Sequence, residues 1–194
     1  MDIKVGTNTI INKFYAVPRH SKVKLFNSQC LSLYGCPLWN LHDRKLGELY
    51  KTWRICCRRL LELNPRTKSY ILPHIMNSFD IGDIIKERFI NFFIGGINHK
   101  SVEISNFFKN TLVSCSSFAV TNINTIINKW NMNYHQIFTE NKNQIRKSMI
   151  NSSNPPDWRG LMIKELLHIL DGTLNNPLTI IEINKLLSYL CTVE

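Results

Sequence analysis

Several things are missing from this chain, and each absence removes a class of protein. None of its six cysteines (Cys30, Cys36, Cys56, Cys57, Cys115 and Cys191) forms a Cys-x-x-Cys pair, and no paired His/Cys spacing of the kind that builds a zinc site occurs. No run of about 18 apolar residues is present to cross a bilayer, and no basic-then-apolar leader stands at the N-terminus. The cysteines are therefore expected to be reduced and mostly in a core. The chain is expected to be intracellular, cytoplasmic or nuclear, with no membrane partner. Adjacent aspartates behind an aromatic residue, the arrangement that would hold two metal ions for phosphoryl transfer, are absent. The nearest approach, Phe79-Asp80-Ile81-Gly82-Asp83, spaces its carboxylates three apart and suits a helix start better. Gly95-Gly96 lacks the Lys-Ser/Thr of a phosphate loop, so a turn between helices is expected there. The six histidines are scattered, and no serine or cysteine sits in a nucleophile motif. No enzyme, metal or cofactor is expected on these grounds.

Acidic residues are also scarce. Lysine and arginine total 24 against 14 aspartates and glutamates, a net charge of +10 over 194 residues, and this field favours polyanionic partners. The excess is uneven: the first hundred residues hold 16 of the basic residues and 7 of the acids, and the remainder is close to neutral. A hydrophobic content of 44% predicts a packed protein rather than a disordered one.

Periodicity of the helical kind dominates, and no strand alternation of useful length appears, so an all-α fold is expected: a helical bundle with a second, smaller helical C-terminal part. Three regions are expected. Residues 1–20 read as a segment cut from something longer, 21–100 as a basic helical domain and 101–194 as a helical C-terminal region with a linker near 151–156, at Ser-Ser-Asn-Pro-Pro. A first helix is expected from Ser21 as N-cap, until Tyr34-Gly35-Cys36-Pro37-Leu38-Trp39 makes a turn. Further helices are expected over 43–63, ended by Asn64-Pro65, and over 69–77, 80–94 and 101–112 with Ser101 at its start. Others follow over 120–131, 134–150, 157–170 and 178–191.

The helix over 43–63 separates its residues most clearly. Wound at about 100° per residue, it places Leu46, Leu49, Tyr50, Trp53, Cys56, Cys57, Leu60 and Leu63 on one half, and Arg44, Lys45, Lys51, Arg54, Arg58 and Arg59 on the other. The cationic half can neutralise phosphates, each contact releasing condensed counterions without reading sequence, or it can be a solvated face. Trp39 and Trp53 could stack on bases, but Trp53 falls on the apolar stripe and is expected in the core.

Lys24-Leu25-Phe26, then Cys30-Leu31-Ser32-Leu33-Tyr34-Gly35-Cys36-Pro37-Leu38-Trp39, resembles the segment just beyond the catalytic palm of jockey-like non-LTR retrotransposon reverse transcriptases. Tyr50-Lys51-Thr52-Trp53-Arg54-Ile55-Cys56-Cys57-Arg58-Arg59-Leu60-Leu61 is similar to that family's Trp-Arg, Arg-Arg-Leu-Leu helix. Pro65-Arg66-Thr67-Lys68-Ser69 is similar to its Arg-Thr-His-Ser turn, with Lys68 where histidine is usual. The likeness covers about residues 10–95. It implies a thumb-like, non-catalytic fragment that lacks the palm and grips a template–primer through its backbone, with residues 1–20 a remnant of the palm–thumb connection and 21–100 the thumb-like part. The implied contacts are Arg44, Lys51, Arg54, Arg58, Arg59, Arg66 and Lys68, and the implied partners are RNA or an RNA–DNA duplex and the remainder of a reverse transcriptase. The other readings are a helical module that docks an acidic protein, and a mobile-element remnant without function.

Overall fold

Every described stretch of regular backbone in the computed structural model is helical, as the periodicity requires. The structure describes residues 2–113, 117–135, 142–152, 158–172 and 177–192, and no strand occurs among them. The α-helices are α1 (Ile3–Lys13), α2 (Arg19–Gln29), α3 (Lys45–Leu60), α4 (Leu72–Ile75), α5 (Ile81–Ile97), α6 (Val102–Val113), α7 (Phe118–Trp130), α8 (Lys142–Ser152), α9 (Trp158–Gly172) and α10 (Pro177–Thr192). Short 3-10 turns occupy Cys36–Leu38 and Ser69–Ile71. The chain divides into two compact units that interleave along the sequence, one built from 1–33, 47–81 and 156–194, the other from 34–46 and 82–155. Most of the expected linker, from 153 onward, lies outside the described residues.

In the first unit, α1 lies within residues 1–20. Asp2 caps it by accepting the Lys4 N–H at 2.8 Å, and Ile3, Gly6, Thr7 and Ile10 form its buried face, against α2. Helix α2 begins two residues before the expected Ser21. Pro18 presets the entry, and the Arg19 backbone N–H donates to Asp171 Oδ2 of α9 at 2.7 Å, so a distant carboxylate does what a local cap would have done. Trp53, Cys56, Cys57 and Leu60 line the inner side of α3 and are fully buried. Helix α9 packs on α2, α4 and α10, approaching α4 so closely at Gly160 that a Cβ there would lie 2.8 Å from that of His74.

Helix α3 also ends earlier than the expected Leu63, and not because of Pro65. Glu62 adopts a left-handed conformation (φ 57°), its N–H reaching the Arg59 carbonyl at 3.2 Å while the Leu63 N–H reaches Arg58 at 2.8 Å. This paired Schellman termination satisfies carbonyls that the last turn leaves open. It also places the Glu62 carboxylate beside Arg19 (2.8 Å) and Lys22 (3.6 Å) of α2.

In the second unit, Gly35 (φ 78°) makes the turn expected at 34–39 possible, and Cys36–Leu38 follow as a single 3-10 turn. Helix α5 carries Ile85, Phe89, Ile90 and Phe93 on its buried side. The expected break at Gly95-Gly96 does not occur: both glycines are inside α5, because Phe108 of α6 packs where a Gly96 side chain would be. The Phe108 ring stands edge-on to Phe93 at 5.2 Å and to Phe92 at 5.5 Å. Ser101 accepts the Ile104 N–H at 3.3 Å, as its sequence position predicts for the start of α6. Helix α7 packs on α6 and α8 and buries Ile123, Ile126 and Trp130. Asp83 pairs with both Lys86 and Lys129.

Candidate nucleic-acid interface

The amphipathic pattern of α3 decides where its charges go. With Trp53 and its neighbours turned inward, Lys51, Arg54 and Arg58 form a stripe three to four residues apart on the outer side, flanked by Arg59. Lys51 is exposed and pairs with the equally exposed Glu48 at 2.8 Å, one turn earlier. The hydrogen bond and charge of Lys51 hold the Glu48 carboxyl below its ordinary pKa. Arg54 is half-buried, and its Nε is enclosed without a hydrogen-bond acceptor. Arg59 and Arg66 are exposed, and Lys68 is half-buried. Arg44 is exposed and belongs to the other unit, ahead of α3.

Arg58 is differently placed. Its guanidinium donates from Nε (3.0 Å) and Nη2 (2.6 Å) to the Thr67 carbonyl, and from Nη2 to Ser69 Oγ at 3.0 Å. Burial, and then the neighbouring Arg54 charge, draw its pKa down from the usual arginine value. It fastens the turn after α3 back onto that helix. The turn itself is internally tied: Asn64 Oδ1 accepts the Arg66 N–H at 2.8 Å, and Thr67 Oγ1 donates to the Asn64 carbonyl at 2.6 Å.

That turn carries Arg66 and Lys68 to a polar cavity of about 520 Å³, shared with Asn64 and with Ser188 of α10. Among the described residues, no acidic side chain lines it. The arrangement brings together two of the residues singled out from sequence and adds Ser188, which no local pattern could have linked to them. Of the two tryptophans, Trp53 is wholly enclosed and can stack on nothing outside the protein. Trp39 is half-buried in the second unit, its carbonyl accepting from Asn122 Nδ2 at 2.9 Å.

Among the described residues, no group of three or more His, Cys, Asp or Glu side chains could hold a metal ion. No helix among them is long and apolar enough to cross a membrane. Asp83, the second carboxylate of the Phe79–Asp83 segment, is engaged by the two lysines noted above. Comparison of the chain with protein-family models, with curated proteins and with solved structures finds no match.

Proposed function

We propose that this chain is a non-catalytic, helical nucleic-acid-binding module that grips a template–primer duplex by its phosphates, like the thumb-side region of a non-LTR retrotransposon reverse transcriptase. The observation that carries the reading is the outer side of α3 and the turn after it, where Arg54, Arg59, Arg66 and Lys68 follow one another within 15 residues with Glu62 as the single acid between them. Glu62 is itself committed to Arg19 and Lys22. Such a surface gains affinity by counterion release and reads no bases. On this reading Arg58 supports the surface from behind rather than touching the nucleic acid.

Fluorescence anisotropy with a labelled RNA–DNA duplex across a salt series tests it. Binding at micromolar strength or better is expected, falling steeply with salt. Each of Arg54→Ala, Arg59→Ala and Arg66→Ala should reduce the slope of log K against log salt by about 1. A folded chain without binding at low salt, or three variants with unchanged slopes, rejects the reading. One observation favours an acidic protein partner instead: Ile55 is 50% exposed in the middle of the cationic side, apolar surface of no use to a phosphate backbone. Displacement of the duplex by polyglutamate at equal charge concentration distinguishes the two.

A further inference from the structure

Two ammonium groups converge on one carboxylate oxygen in the second unit. Asp83, in the first turn of α5, presents Oδ1 to Lys86 Nζ at 3.4 Å, one turn further along the helix, and the same atom accepts from Lys129 Nζ of α7. Glu87, next in sequence to Lys86, is engaged instead by Arg146 of α8, at 3.8 Å. The cluster of Asp83, Lys86 and Lys129 thus sets two cations against one anion.

The two lysines are not equivalent. The Lys86 side chain keeps 13% of its surface open and that of Asp83 15%, against 45% for Lys129. Burial penalises the charged form of an amine. It draws the Lys86 pKa down, Asp83 opposes it, and the Lys129 charge lowers it again. A lysine desolvated beside a second cation has the general setting of a nucleophilic amine, because more of it is neutral, with its lone pair available, at pH 7. Lys129, close to half exposed on the same oxygen, places the charged ends of the cluster at the protein surface, open to a small reagent.

The surplus cation selects the chemistry. An imine formed with an aldehyde would be protonated and keep the charge. An amide removes it, leaving Asp83 and Lys129 as a neutral pair, while the amide N–H can still donate to Asp83 Oδ1. We propose that Lys86 is an acylation site, taking a small acyl group from an activated donor, a thioester or an acyl phosphate. The neutral Nζ attacks the acyl carbon, the C–N bond forms and the C–S or C–O bond to the leaving group breaks. The thiolate or phosphate departs with the electron pair, and one amine proton passes to it through solvent. The site lies outside the phosphate-gripping surface and does not depend on it.

The native full-length chain at pH 7 is given limiting acetyl phosphate in one arm and acetyl-coenzyme A in the other, and acetylation is read by peptide mass spectrometry. The exposed Lys4 and Lys109 serve as internal standards. Lys86 should acetylate about threefold or more faster than either standard in at least one arm, and that arm identifies the donor class. The preference should vanish in urea. Asp83→Asn removes the carboxylate that holds Lys86 charged and should raise the ratio. Lys129→Met removes the second cation and should lower it, and loss of structure could not move the two variants in opposite directions. No preference for Lys86 in either arm overturns the proposal. So does a preference that survives urea, or one that the two variants do not shift in opposite directions.

Discussion

Arg58 and Thr67 are nine residues apart in sequence, yet the guanidinium of the first holds the backbone carbonyl of the second with two donors, at 3.0 and 2.6 Å. A fork of two N–H groups on one acceptor needs the planar geometry of arginine, and lysine cannot reproduce it. Arg58→Ala should therefore destabilise the chain by about 2 kcal/mol in urea unfolding, and Arg58→Lys should recover less than half of that. Arg59→Ala, one residue on and exposed, should change stability by no more than about 0.5 kcal/mol. Equal, small losses at both positions would return Arg58 to the set of free surface cations.

The adjacent glycines of α5 make a sharper pair. A Cβ on Gly96 would overlap the Phe108 ring, whereas one on Gly95 meets nothing within 4 Å. Gly95→Ala should stabilise the chain by about 0.5–1 kcal/mol, because alanine loses less backbone entropy on entering a helix. Gly96→Ala should destabilise it by about 1–3 kcal/mol, the cost of forcing Phe108 off its present packing against Phe93. Thermal unfolding of the two variants reads the opposite signs directly. Two shifts of the same sign would mean that α6 yields to the added methyl group.

The two glycines also mark the limit of what local sequence can report. A Gly-Gly pair is a fair signal for a break between helices when only neighbours are considered. For Gly96 the cause is tertiary, since Phe108 occupies the place of a side chain, and nothing in the structure explains Gly95. The strongly periodic helices were legible: α3, α5 and α6 appear where apolar spacing and the cap at Ser101 place them. The start of α2 was not, because Asp171 supplies its N-terminal acceptor from far along the chain. Nor was the end of α3, since a glutamate in the left-handed region is uncommon and Glu62 is held there amid Arg19 and Lys22. The candidate site divides in the same way. Helical phase located the outward cations correctly on α3, but could not distinguish Arg58, which turns back to Thr67, from Arg59, which stays in solvent.

Asn122 joins the turn after Gly35 to α7, accepting the Leu41 N–H and donating to the Trp39 carbonyl, each at 2.9 Å, from a wholly buried position. Asn122→Ala leaves a donor and an acceptor unmatched and should cost about 2–4 kcal/mol. Asn122→Asp should cost more at pH 7, because an ionised carboxylate can accept from Leu41 but faces the Trp39 carbonyl with like charge. Protonation restores a donor, so the deficit of Asn122→Asp should shrink on acidification while that of Asn122→Ala stays constant. Urea midpoints of both variants at pH 7 and at about pH 4.5 check this. Parallel behaviour of the two would mean that water, rather than the side chain, satisfies the turn.

The cysteines make stability fall in alkali. Burial pushes the thiols of Cys30, Cys36, Cys56 and Cys191 up, and that of Cys57 well above 9.0, with its neighbour Cys56 adding to the effect. A folded pKa above the unfolded one means that the native state keeps protons the unfolded chain would release. The resulting stability is complete below the unfolded value, near 9.0, and is lost as pH rises from there through the folded values. Lys86 acts in the opposite sense. Burial lowers its pKa despite Asp83, so the folded chain releases that proton first and gains stability as the lysine range is approached. The thiols outnumber it, and each fully ionised one contributes about 1.4 kcal/mol per pH unit beyond its unfolded pKa, up to the size of its own shift. The urea midpoint should therefore hold steady from pH 7 to 8.5 and drop between about pH 9 and 10.5. Cys57→Ala lowers the midpoint at every pH by loss of packing, but should make the alkaline drop shallower, since its thiol no longer ionises on unfolding. An identical drop in both chains would assign the alkaline loss to other groups.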